Sequence, residues 1–281
     1  MKSNKWKFLL TGAATLTLLT ACTQASSQSA TKSNTAQTTT TSTSKNKTNN
    51  SNYFTDKDKD SSYDESKAST VKLSGSSASV SGDGVAVSGS TVTISKAGTY
   101  VISGESDGVQ IKVEAGDSDD VHIVLKGVTM TNTNAPISAT KAGHVYLTLA
   151  DGTTNTLSDS SSNNDEDADA VIFSKGDLTI NGSGTLNIDA KKNNGIKAND
   201  TLHITGGTYK ITAVGDAFNV NDELNITGTT MTIDADEDAV KVDNDEDTSV
   251  GTMYLSDNKM TITAGDDGIH ASGDLIIDKI G

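Results

Sequence analysis

From Asp107 onward one short phrase keeps returning in this chain. An Asp or Asn is followed by a small residue and then, in nearly every copy, by an aliphatic or aromatic one. The copies are Asp107-Gly108-Val109, Asn134-Ala135-Pro136, Asp169-Ala170-Val171, Asn194-Gly195-Ile196, Asp216-Ala217-Phe218, Asp238-Ala239-Val240 and Asp267-Gly268-Ile269. The steps between them are 27, 35, 25, 22, 22 and 29 residues. A step near 22 residues with no helical periodicity inside it predicts a solenoid of β-coils. In such a stack, an acid repeated along the sequence becomes an acidic column in space.

The coil from Asn194 shows the plan. Ile196 and Ala198 alternate in one short strand, Leu202 and Ile204 in a second, and Tyr209, Ile211 and Ala213 in a third. Asn199-Asp200, Gly206-Gly207 and Val214-Gly215 separate them as turns. The next coil repeats this with Phe218 and Val220, Leu224 and Ile226, then Met231, Ile233 and Ala235. Three strands per coil predict an all-β parallel β-helix over 107–281. The aromatic content of 4% suits a narrow core of stacked aliphatic side chains. A β-sandwich would need a wider core and hairpin turns, and a propeller a longer repeat. Residues 68–106 hold short, less regular strands and read as an N-terminal β cap over the exposed end of the stack. The chain stops after the second strand of a coil, so the repeat pattern reads as truncated at Gly281.

Ahead of the domain the composition changes twice. Lys2, Lys5 and Lys7 precede an apolar stretch from Phe8 to Leu19, too short for a permanent span. It reads as a signal peptide over 1–21. Leu19-Thr20-Ala21-Cys22 resembles a bacterial lipobox, which implies lipidation of Cys22, the one cysteine in the chain. The protein is thus expected to be exported and held by a lipid on the extracytoplasmic face of the cell membrane. Residues 22–67 are rich in Ser, Thr, Asn, Lys and Asp and read as a disordered tether. Asp56, Asp58 and Asp60, spaced by lysines, read there as solvated charge.

The formal charge is -15, and all 22 basic residues are Lys. An acidic chain without arginine argues against nucleic acid and for cations, or for anionic partners held through cations. Asp169, Asn194, Asp216, Asp238 and Asp267 are expected to align at one corner of the stack. Asp177, Asp200, Asp222 and Asp274 form a second set six to eight residues later. Rungs lie ~4.8 Å apart, so unneutralised carboxylates would repel. Calcium, which takes six to eight oxygen ligands, relieves this. The candidate ligands are Asp169, Asp216, Asp236, Asp238, Asp266 and Asp267, with Asp165, Asp167, Asp243 and Asp245 added from two acidic insertions, 159–168 and 243–251. Plain turn chemistry also favours Asp and Asn at such positions. The insertions lack the Gly and Glu of an EF-hand loop, and the four histidines are scattered, which argues against zinc. Three residues after each acid come Ile172, Lys197, Asn219, Lys241 and His270, expected to point outward. Lys197, Lys241 and Asn219 are candidate contacts for an acidic sugar. A lysine that simply balances nearby Asp charge is the alternative.

The runs Asn194 to Thr208, Asp151 to Leu157 and Ser174 to Leu186 resemble a bacterial family of exported carbohydrate-binding proteins. The resemblance covers about residue 70 to the end. It implies a right-handed parallel β-helix with calcium at its acidic turns, binding cellulose or acidic polysaccharide without proven catalysis. Asp169, Asp216, Asp238 and Asp267 match the repeating acid, and Asn194 replaces it in one coil. The leading reading is therefore a surface-anchored, non-catalytic, calcium-dependent binder of acidic polysaccharide. Of the tyrosines on strands (Tyr146, Tyr209, Tyr254), Tyr209 looks inward, so the neutral-sugar platform of exposed rings is weakly supported. One alternative is a calcium-assisted, pectate-type lyase with Lys197 or Lys241 as base. Another is a structural adhesin or cell-wall spacer.

Overall fold

Alternation sets the strands. In Thr208–Ala213 the odd side chains Tyr209, Ile211 and Ala213 are buried while Thr208, Lys210 and Thr212 face solvent. Thr230–Ala235 repeats the pattern, and the two pair in parallel with Tyr209 opposite Met231, Ile211 opposite Ile233 and Ala213 opposite Ala235. The same rule, applied rung after rung, gives three parallel ladders that enclose one aliphatic core. The structure is a computed structural model that describes residues 52–280 apart from 245 and 248. The signal segment, Cys22, the first part of the tether and Asp245 lie outside the described residues.

The first ladder runs through Ser69–Gly75, Gly98–Asp107, Asp120–Thr131, His144–Leu149, Leu178–Gly182, Thr201–Thr205, Glu223–Thr227, Thr252–Ala264 and Leu275–Ile280. The second runs through Thr154–Ser158, Thr185–Ala190, Thr208–Ala213 and Thr230–Ala235. The long strands Asp120–Thr131 and Thr252–Ala264 turn a corner and take part in both. The third runs through Thr91–Ile94, Gln110–Glu114, Ile137–Lys141, Ala170–Ser174, Asn194–Ala198, Phe218–Val220, Val240–Val242 and His270–Ala271. The fold is that of a parallel β-helix. At its N-terminal end two antiparallel strands, Ser77–Ser81 and Val85–Ser88, close the first and third ladders. They cover edges that would otherwise offer free hydrogen-bonding groups.

Inside, Ile172, Ile196, Phe218 and Val240 stack in register, as do Leu178, Leu202, Leu224 and Met253. All are buried, and each fully buried large aliphatic contributes about 1.5–3 kcal/mol. The small residue of the repeated phrase has a packing cause. A Cβ at Gly195 would meet the Ala217 carbonyl oxygen at 2.6 Å and Ile211 Cγ2 at 2.9 Å. Backbone and core approach too closely there for a side chain.

One expectation fails. Residues 52–67, read from sequence as the end of a disordered tether, form an ordered strap across the outer face of the first ladder. Its short helix Asp56–Lys59 is capped reciprocally by Thr55 and Asp58. Phe54 and Asp58 are buried, so Asp58 is not solvated charge. The face supplies donors: Asn225 Nδ2 to the Tyr53 carbonyl (2.9 Å), Thr205 Oγ1 to the Asp58 carbonyl (2.7 Å), and Asn181 Nδ2 to the carbonyls of Asp58 (3.2 Å) and Asp60 (3.1 Å). Rings seal the contact. Tyr53 stacks on Tyr254 at 3.8 Å, and Phe54 meets His203 edge-on.

Candidate functional site

The third ladder carries the face that the repeats predict. Pairing places Phe173, Lys197, Asn219, Lys241 and His270 in one outward row. Ile172, expected in this row, instead points inward opposite Ile196. The cause is a one-residue offset. Ala170, not Asp169, pairs with Asn194, and in a strand a one-residue shift exchanges the two faces. Phe173 therefore takes the place in the row expected of Ile172, and spacing alone could not show it.

Two acidic corners flank this ladder. On one side Asn194, Asp216, Asp238 and Asp267 line up as expected, and their contacts explain why. Asn194 Oδ1 accepts from the Asp216 N–H (3.1 Å), Asp216 Oδ1 from the Asp238 N–H (2.9 Å), and Asp238 Oδ1 from the Asp267 N–H (2.8 Å). Each side chain satisfies a backbone donor in the next coil, a use that asparagine serves as well as aspartate. The second oxygens are also engaged. Asp216 Oδ2 accepts from Asn219 (2.6 Å), and Lys241 Nζ lies 4.0 Å from it and 3.8 Å from Asp238 Oδ2. Asp169 stands beside the column and accepts from Asn193 (2.6 Å) and Lys197 (2.7 Å). Lys197 and Lys241 thus balance corner charge, the plainer of the two roles expected for them.

On the other side Asp200 and Asp222 are neighbours, while Asp177 sits one place out of line and accepts the Thr201 N–H. Burial first, then Asp177 and Asp222, pushes the Asp200 carboxyl above its ordinary value. Both insertions border the third ladder too, 159–168 before it and 243–251 after it. Asp165 is turned inward to cap the Ala168 N–H. Asp243 begins the second insertion, and its N–H donates to the Val220 carbonyl. Asp167 reaches a cleft of about 450 Å³ shared with Glu166, Phe173, Lys175, Lys197 and Asn199. Lys175 was not among the candidate residues.

The carboxylates of Asp238, Asp266 and Asp267 come within 4.8 Å of one another. Asp266 and Asp267 are exposed. Hard carboxylate oxygens, with water filling the remaining positions, fit what calcium requires. Asp169 and Asp216 fit less well, because both oxygens of each already accept hydrogen bonds, whereas the second oxygen of Asp238 has only the Lys241 amine at 3.8 Å. Asp236 is in the turn before Asp238 but is not part of this group.

The strap-covered face is a second polar assembly, made of residues that spacing and repetition do not single out. His122, Tyr146, Thr179, His203, Asn225 and Tyr254 form one outward row across successive rungs. Asp58 Oδ1 accepts from Thr179 (2.7 Å), and its Oδ2 faces His203 Nδ1 at 3.2 Å. The angle is off the line of a good hydrogen bond, so this contact is mainly Coulombic. Burial opposes charge on His203, but Asp58 and Glu223 (3.5 Å from Nε2) outweigh it and hold the imidazole pKa up at about 9. Burial likewise opposes charge on Asp58, and the positive charge of His203 together with hydrogen bonds from Thr179 and Thr55 holds it well below the usual carboxylate range. His122 and His144 differ: burial pushes both down. Lys57 pairs with Asp120 and stands over the Tyr146 ring. Tyr209 is inward as expected and donates to the Gly206 carbonyl.

The fold defines an all-β module, a parallel β-helix whose third ladder carries Lys197 and Lys241 between acidic corners. The profile of the carbohydrate-binding domain-containing protein family matches residues 88–281, and the chain belongs to that family. A carbohydrate-binding domain-containing protein of Acetivibrio thermocellus is 38% identical over 126 residues, covering 43% of this chain and 44% of that protein. The chain thus matches less than half of that relative's length. A solved structure described as a polysaccharide lyase-like protein from C. thermocellum, a gadolinium derivative, superposes with a TM-score of 0.69 at 30% identity. It covers 75% of this chain and 96% of that one.

Proposed function

We propose that this protein is a surface-anchored, non-catalytic carbohydrate-binding protein that holds acidic polysaccharide in the presence of calcium. The observation that supports it best is the register of the third ladder. That register sets Lys197, Asn219 and Lys241 in one row beside the Asp238, Asp266 and Asp267 carboxylates. Calcium held by those three would reduce the local negative charge and leave coordination positions for a uronate oxygen. Lys175 and Lys197 would take a second carboxylate in the cleft against Phe173. The helix is read as right-handed, the hand that parallel crossover connections overwhelmingly adopt. Export and a lipid on Cys22 would place the face outside the cell, an expectation checked by whether Cys22→Ser moves the protein from the membrane fraction to the medium.

The lyase alternative draws support from the description of the C. thermocellum structure. Against it, the amine of Lys197 is committed to Asp169 and that of Lys241 lies between two carboxylates. Neither is placed as a free base. Affinity electrophoresis through polygalacturonate, with calcium and then with chelator, tests the proposal. Calcium-dependent retardation without new ultraviolet absorbance is expected. Mobility unaffected by polygalacturonate in both conditions would overturn it, and absorbance from unsaturated products would establish the lyase.

A further inference from the structure

The face beneath the strap is built to receive acceptor oxygens along a line. Thr179, Asn181, Thr205 and Asn225 all donate, His203 supplies a positive charge, and Tyr146 and Tyr254 supply ring faces. The strap answers each of these. Its carbonyls accept from Asn181, Thr205 and Asn225, its one deeply buried carboxylate accepts from Thr179 and faces His203, and the Tyr53 ring lies flat on Tyr254 at an interplanar angle of 7°. A β-sheet surface carrying rings at intervals with donors between them is what a pyranose chain bearing carboxylates would also engage. Ring faces stack, hydroxyl and ring oxygens accept, and a uronate takes the place of an Asp side chain.

We infer that residues 52–60 are an intramolecular stand-in for a uronate-bearing oligosaccharide, and that the first ladder carries a second glycan site which the strap covers and a ligand must uncover. This rests on the acidic-glycan reading above but names a different face and a different set of residues. The strap then acts as a competitor. Apparent affinity at this face is the intrinsic affinity reduced by the fraction of molecules with the strap open.

The sign of one substitution tests this. Phe54 belongs to the strap, packs against His203 and Tyr254, and otherwise meets the Lys59 amine of the strap itself. In the full chain, Phe54→Ala should loosen the strap and tighten oligogalacturonate binding by roughly tenfold or more by calorimetry. Lys57→Ala, which leaves the buried contacts intact, should tighten it less. Adding Thr179→Val to Phe54→Ala should remove the gain. Hydrogen exchange gives an independent readout: saturating oligogalacturonate should speed exchange of the strap amides in the wild-type chain, whereas a ligand confined to the third ladder would leave them unchanged. Wild-type binding that Phe54→Ala and Lys57→Ala both leave equal or weaker would overturn the second site while the lysine face stands. Absence of binding by all three proteins would overturn both readings.

Discussion

Asp216 and Asp58 are the same residue type used in opposite ways. Asp216 belongs to a column at a corner of the third ladder, where its oxygens are shared among a backbone N–H of the next coil, Asn219 and Lys241. Asp58 lies within a charged, low-complexity run, yet it is 2% exposed and is held by Thr55, Thr179 and His203. The repeated acid tolerates replacement, since Asn194 fills the same position in one coil and makes the same bond to the next. The unrepeated acid is tied to one partner of opposite charge. Repetition therefore marks a geometric role here, and the solitary carboxylate carries the stronger electrostatic one.

The largest effect expected from this contrast is in Asp58→Ala. Removing one member of a buried charge pair leaves the other uncompensated, at a cost of about 3 kcal/mol. Chemical denaturation should show that loss, and a change below ~0.5 kcal/mol would mean the strap adds little to stability. The pH response comes next. His203 rises from its ordinary 6.5 to about 9 on folding. Its stabilisation is complete below pH 6.5 and is lost as pH climbs through about 9. Asp58 and Glu223 are lowered from 3.8 and 4.5, so their share is present above those values and fades as pH falls. The nearby groups include His144, whose own pKa burial lowers, and Lys57, which is raised. Thermal midpoints should fall between pH 7 and pH 10, and His203→Gln should flatten that fall. An unchanged slope in the variant would assign the alkaline loss to other groups.

At the repeated corner the effects should be smaller. Asp216→Ala removes the acceptor for the Asp238 N–H and should cost about 1–2 kcal/mol, whereas Asp216→Asn should cost little. Equal losses in the two variants would show that charge, not the cap, is what the corner needs. Smallest in stability is the metal. Calcium at about three times its dissociation constant should stabilise by about 0.8 kcal/mol. Asp266→Asn should weaken that shift in the melting temperature while leaving stability in chelator near wild type. A calcium shift of full size in this variant would move the site elsewhere.

Much of the third ladder was legible because its chemistry repeats. Strand alternation and the return of Asp or Asn every 22 or so residues led to the stacked corner, and the outward place of Lys197, Asn219 and Lys241 followed from the pleat. The offset at Asp169 was not legible, since an insertion ahead of it changes the phase between corner and strand, and so Ile172 and Phe173 were exchanged. The strap escaped for a different reason. Its composition is that of a solvated linker, and its energy comes from residues more than a hundred positions away. The available signals were local and slight: Tyr53-Phe54 ahead of a Thr55-x-x-Asp58 cap, followed by Tyr63. The receiving side left no trace either, because Thr179, His203 and Asn225 occupy places that a solvent-facing row would fill with similar residues.

The strap crosses the strands that carry Tyr146, Thr179, His203, Asn225 and Tyr254, one contact to each successive rung. A solenoid can ordinarily gain or lose a coil with little penalty, since every rung resembles its neighbours. Here an extra coil between Tyr146 and Tyr254 would carry the far contacts about 4.8 Å beyond the reach of a segment whose own length has not changed. The strap thereby serves as a ruler: it fixes how many rungs this part of the molecule has, and leaves length free to vary only past its ends.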